Sequence, residues 1–124
     1  MAETKTERKV TVILAADVVG YSTMMEANEE QTLKNLAACR TIVDRLIEAH
    51  HGRIFNTAGD SVLAEFPSVV EAVFCAREFQ DSIQERNRTV AEAERLEFRV
   101  GINMGDVVVE GDNLLGEGVN VASR

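Results

Sequence analysis

Two aspartates, Asp17 and Asp60, stand where this chain could set a carboxylate at the rim of a buried sheet. Asp17 follows the apolar part of the run 10–22, VTVILAADVVGYS, in which Val10, Val12, Ile13 and Leu14 are β-branched or aliphatic and Thr11 is the polar exception. Such a run reads as a strand buried on both faces. A carboxylate at its end is costly to bury unless it is paired or holds a metal. Behind it, Gly20 lets the backbone turn sharply and Ser22 can cap a following helix. A loop of free N–H groups beside a carboxylate suits a cation together with a phosphate. An isolated aspartate after a strand is more often a plain turn cap, so the weight falls on Asp60. It lies in NTAGD, between Arg53-Ile54-Phe55 and SVLAEF, two strand-like segments around a glycine turn. If that hairpin pairs with the first strand, the two carboxylates converge, and they repel unless a divalent ion sits between them.

The elements that must position these groups are legible in the apolar spacing. A strand is expected over about 9–17. From 22 to 50, Leu33, Leu36, Cys39, Val43, Leu46 and Ile47 recur every three or four residues, which predicts one long amphipathic helix stopped by Gly52 at C′. His50 and His51 fall in its last turn, where a cation is favoured by the dipole, and no third ligand near them suggests a metal. Pro67 and Ser68 open a second helix, with Ser68 as N-cap, Glu71 completing a capping box, and Val69, Val73, Ala76, Phe79 and Ile83 as the buried stripe. The polar stretch 86–94 reads as a helix tail or exposed loop. LEFRVGI at 96–102 alternates as a strand, and 107–109 looks like its hairpin partner across Asn103-Met104-Gly105-Asp106. A turn at 111–113 leads into a loop and the first turns of a last helix. The order β-α-β-β-α-β-β predicts an α+β sandwich of the ferredoxin-like kind, with its helices on one face.

Composition narrows the function classes. One hundred and twenty-four residues suit a single domain, with 1–8 a polar flexible segment and the domain proper over 9–124. A net charge of −8 argues against non-specific binding to nucleic acid or anionic lipid, although metal ions would let an acidic chain hold a nucleotide. Cys39 and Cys75 lack metal or redox spacing and read as buried thiols of a reduced, cytoplasmic protein. No run is long enough to span a bilayer, and the charged start is no signal peptide.

Four segments in this order and spacing resemble the catalytic domain of class III adenylate and guanylate cyclases, of the bacterial, rhizobial-type branch. They are AADVVGYS at 15–22, NTAGDSVLAEF at 56–66, RVGINMGDVVV at 99–109 and GEGVNVASR at 116–124. The resemblance implies that Asp17 and Asp60, with the carbonyl of Val18, hold two Mg²⁺ or Mn²⁺ ions, and that Gly20, Tyr21 and Ser22 wrap a triphosphate. It implies that ATP becomes 3′,5′-cyclic AMP and pyrophosphate by attack of the ribose 3′-hydroxyl on the α-phosphate. Asn120 would orient the ribose and Arg124 would stabilise the transition-state charge, four residues apart on one helix. The positions that read the purine hold Asn56 and Asn113, where adenylate cyclases commonly carry lysine and aspartate. A head-to-tail homodimer is implied, with two sites shared between copies. The family's domain also runs on beyond this last motif. The expectation is therefore about the N-terminal two-thirds of a catalytic domain, inactive alone. The alternatives are a guanylate cyclase, or a cyclase-like domain that binds nucleotide or regulates a partner without catalysis.

Overall fold

β1, Glu7–Val18, is the axis of the sheet. In a computed structural model that describes residues 7–122, it is followed by α1 (Tyr21–Ala27), α2 (Glu29–Ala49), β2 (Arg53–Ala58), β3 (Ser61–Phe66) and α3 (Val69–Thr89). A 3-10 turn at Glu92–Glu94 then leads to β4 (Phe98–Glu110), β5 (Asn113–Leu115) and α4 (Glu117–Ala122). The sheet order is β2-β3-β1-β4-β5, antiparallel throughout. The first four strands form the ferredoxin-like core that the sequence predicts, and β5 is added at the β4 edge. β1 begins at Glu7 because Glu7 and Arg8 pair with Val109 and Val108, so the strand reaches into the segment expected to be flexible.

β1 needs apolar residues at consecutive positions because both of its faces are covered. Val12, Leu14, Ala16 and Val18 pack under α2 and α3 with Leu36, Val43, Phe66, Phe79 and Phe98. Ile13 and Ala15 belong to a second, smaller core with Val107, Leu114, Val119 and Ala122. The second core exists because α4 lies on the opposite face from the other helices, a correction to the expectation that all helices share one side. In the larger core, Phe79 and Phe98 meet edge to face with ring centroids 5.7 Å apart. Cys39 and Cys75 are fully buried free thiols. Burial pushes both up, Cys75 to about 12, with Glu78 and Glu71 adding to the effect.

Several local details depart from the sequence reading, each for a physical reason. The long first helix is broken at Asn28, whose side chain accepts from the Gln31 N–H at 3.0 Å and so starts α2 afresh. Ser22 lies inside α1; the cap position belongs to Gly20, at φ 69 and without a side-chain cap. At the other end of α2 a Schellman motif closes the helix, with the Gly52 N–H on the Ile47 carbonyl and the His51 N–H on that of Glu48. His51, at φ 65, therefore takes C′, and Gly52 sits one place later. There a Cβ would stand 2.7 Å from the Phe66 ring. Close packing, not left-handed backbone, is what demands that glycine.

The stripe of α3 is rotated from the expected one. Ala72, Cys75, Phe79 and Ile83 are buried, while Val69 and Val73 are 41% and 47% exposed. Ser68 does cap the Glu71 N–H, but the Glu71 carboxylate turns to His50. β4, finally, has no turn at 103–106. Asn103, Met104, Gly105 and Asp106 pair with Ile13, Val12, Thr11 and Val10, so β4 is one continuous partner along the whole of β1.

His50 ties α2 to α3. Its Nδ1 lies 3.0 Å from Glu71 Oε2 and its Nε2 3.1 Å from Glu78 Oε2, with the ring only 15% exposed. Both partners are acceptors, so only the imidazolium can donate to both. The Glu78 hydrogen bond is the main cause of a raised pKa; burial opposes it, and Glu71 adds to the rise. A folded pKa above the unfolded 6.5 places this stabilisation at low pH, to be lost as pH rises through the folded value. The expected result is a urea midpoint that falls between about pH 6 and pH 9, with part of the slope removed in His50→Gln. Identical pH profiles for the two proteins would refute it.

Candidate active site

Asp17 and Asp60 reach the same concavity by different routes. Asp17 is at the end of β1, on the face of the sheet opposite α2 and α3, and is 32% exposed. Asp60 closes the tight β2–β3 turn after Gly59, whose φ of 56 is left-handed. Because β3 pairs with β1 from Val12↔Phe66 to Ala16↔Val62, that turn comes up beside the C-terminal end of β1. Asp60 Oδ2 there accepts the backbone N–H of Val18 at 2.8 Å. The two carboxylates thus meet at consecutive residues of β1, around a cavity of about 310 Å³ that Val18, Gly20, Tyr21 and Ser22 also line.

The sequence reading missed the group that balances this charge. Arg99 is the cross-strand partner of Asp17 on β4 and donates from Nε to Asp17 Oδ1 at 2.9 Å. Register was the only signal that could have found it, and register depends on β4 being unbroken. The guanidinium is 70% exposed, so the pair is worth about 0–1 kcal/mol and yields readily to a stronger ligand of either partner. Arg99 and Asp17 also border a second cavity of about 350 Å³, floored by Ala15, Ala58, Leu63, Gly101 and Ala122. Small side chains keep that space open.

The donor set fits a hard divalent cation. Among the described residues no group of three or more His, Cys, Asp or Glu side chains could hold a metal ion. A cation at Asp17 and Asp60 would take its other ligands from backbone oxygen, water or a bound phosphate, the usual arrangement for Mg²⁺.

The other expected site residues lie apart from this pair. Asn120 is on the exposed side of α4, whose Gly118, Val119 and Ala122 face inward, and Arg124 lies outside the described residues. Asn56 is exposed on β2, next to an irregularity in the β2–β3 register. Asn113 begins β5, and its Oδ1 accepts the Leu114 N–H at 2.9 Å. The two edge strands that carry these asparagines are strapped together. Arg53 of β2 donates to the Asp112 carbonyl at 2.7 Å and to Glu65 at 3.1 Å. Glu65 also takes Lys9 and Thr11; burial alone would raise its pKa, but these three donors outweigh it and hold it below the usual range. No helix among the described residues is long and apolar enough to cross a membrane.

The family model of the adenylate and guanylate cyclase catalytic domain matches residues 2–124. A protein of Rhizobium meliloti (strain 1021) named "Putative adenylate cyclase 3" is 44% identical across the whole chain, which spans 21% of that protein's length. The adenylate/guanylate cyclase/hydrolase of Silicibacter pomeroyi superposes with a TM-score of 0.86 at 40% identity, over 96% of this chain and 70% of its own. The guanylyl cyclase Cya2 superposes at 0.83 and 27% identity, over the same shares of the two chains.

Proposed function

The chain belongs to the adenylate and guanylate cyclase catalytic domain family, and on that premise we propose that it carries both halves of an adenylate cyclase site, which a second copy brings together. The reaction is conversion of ATP to 3′,5′-cyclic AMP and pyrophosphate. The observation that carries this reading is the 2.8 Å bond from the Val18 N–H to Asp60, which sets two carboxylates side by side at one cavity. Asp17, Asp60 and the Val18 carbonyl are the ligands for Mg²⁺ or Mn²⁺, two ions per site. Bound there, the ions supply positive charge against the phosphates and lower the pKa of the ribose 3′-hydroxyl.

The chain's own residues do the rest. Gly20, Tyr21 and Ser22 border the same cavity and close around the triphosphate. Arg99 borders this cavity with its guanidinium, a group suited to pairing with a phosphate. Asn120 orients the ribose, and Arg124 stabilises charge at the α-phosphate. The outward position of Asn120 supports a homodimer in which a second copy completes each site. Asn56 and Asn113 read the purine.

One observation favours a second reading, GTP as substrate. With its Oδ1 turned to the Leu114 N–H, Asn113 presents an amide donor, which suits the O6 acceptor of guanine. Product identification with the full-length protein, given Mn²⁺ with ATP and with GTP side by side, separates the two. Cyclic AMP as the main product is expected. Cyclic GTP-derived product in excess would favour the second reading, and no cyclic nucleotide from either would leave a binding or regulatory domain.

A further inference from the structure

We propose that Asn103 is a positioning residue that fixes α4, and Asn120 with it, on the back of β4. This inference rests on the reading of Asn120 given above. The described part of α4, Glu117–Ala122, packs on β4, and that tertiary contact gives it its seat. β4 provides the seat with backbone. A Cβ on Gly101 would stand 2.1 Å from the Ala122 carbonyl oxygen, one on Gly118 would stand 2.6 Å from the Asp106 carbonyl oxygen, and one on Gly105 3.4 Å from the Gly118 Cα. These are contacts of shape. They set how near the helix comes, and they do not stop it from turning or sliding on a smooth glycine track.

A directional contact is made by the Asn103 side chain, whose Nδ2 donates to the Gly118 carbonyl at 2.9 Å. Asn103 is on the same face of β4 as Gly101 and Gly105, between them, and is paired in the ladder with Ile13. Its backbone is therefore held by the sheet while its amide holds the first turn of α4. Gly105 keeps that amide in place, since a side chain there would stand 3.1 Å from Nδ2. Two residues beyond Gly118, Asn120 is carried on the outward side of the same turn, where rotation of the helix moves it most. Asn103 touches no substrate in this scheme; it sets the place of a residue that does.

The test uses the full-length protein, with kcat and KM for Mn²⁺-ATP and Mn²⁺-GTP and a thermal melt for each variant. Asn103→Ala is expected to lower kcat about tenfold with KM within about twofold of the parent, because a small displacement of an oriented group costs rate more than binding. Asn103→His, which keeps an N–H donor, should recover most of that loss. Should the alanine variant not fold, Asn103→Gln, which moves the amide out by one methylene, takes its place with the same expected split. The inference is overturned if Asn120→Ala abolishes activity while Asn103→Ala leaves kcat unchanged. It is also overturned if the histidine variant loses as much as the alanine one and both melt early. An Asn120→Ala protein as active as its parent would instead overturn the reading of Asn120, and this inference with it.

Discussion

Replacing Asp60 by asparagine is expected to lower kcat/KM for cyclic nucleotide formation by about a thousandfold or more while leaving the fold intact. That is about 4 kcal/mol of transition-state stabilisation, within what a metal-held charge supplies. The fold is expected to survive because the replacement amide oxygen can still accept the Val18 N–H that Asp60 now accepts at 2.8 Å. What is lost is negative charge at the point where the cation must bind, and Mn²⁺ affinity measured by electron paramagnetic resonance should fall in parallel. The measurement belongs to the full-length protein, assayed with Mg²⁺ and with Mn²⁺. Unchanged cyclic nucleotide output would eliminate the role assigned to this carboxylate. A large loss of unfolding free energy would point instead to Asp60 as a brace for the β2–β3 turn.

The second large effect is expected at Gly101→Ala. The new methyl would lie 2.1 Å from the Ala122 carbonyl oxygen, and neither side can give way easily. Gly101 is paired with Ala15 in the ladder, and Ala122 is backbone in α4. Relief requires α4 to lift, opening the core of Ile13, Val107, Leu114 and Val119. A loss of about 3 kcal/mol in urea unfolding is expected, at the upper end of overpacking. Activity should fall about a hundredfold, because Asn120 moves with the helix. Gly59→Ala is the contrast. Its φ of 56 carries the ordinary penalty of left-handed backbone, about 1 kcal/mol, but no atom lies within 4 Å of the added methyl. Equal losses at the two glycines would show that backbone conformation, and not the α4 contact, governs both.

These expectations separate what the residue order could reveal from what it could not. The buried strand before Asp17, the hairpin that carries Asp60 and the two amphipathic helices are local patterns, and each was readable because its signal lies within a dozen or so residues. The convergence of the two aspartates followed from strand pairing. Arg99 did not, because its place beside Asp17 depends on register between strands far apart in the chain. Met104-Gly105-Asp106 looked like a turn since glycine and aspartate commonly make one. In the fold the glycine is there for the approach of α4, a contact no local window contains. The break at Asn28 was hidden for the opposite reason: the polar stretch 28–32 reads equally well as the exposed first turns of one helix, and only the side-chain cap at Gln31 marks the new start. His51 at C′ follows the same logic, because Gly52 was the obvious candidate until the Phe66 ring claimed its missing side chain.

The pairing of β1 with β4, Glu7 to Val109 and Val18 to Phe98, also sets the order in which the molecule can be made. The central ladder joins strands that are far apart along the chain. During synthesis β1 can find β3 early, but its other edge must wait until about ninety more residues have emerged, and loop closure over such a span is slow. Through that interval an apolar strand edge is bare, open to another nascent copy as readily as to its own β4. Yield in the cell should therefore depend on synthesis rate and temperature more steeply than the stability of the finished sheet would suggest.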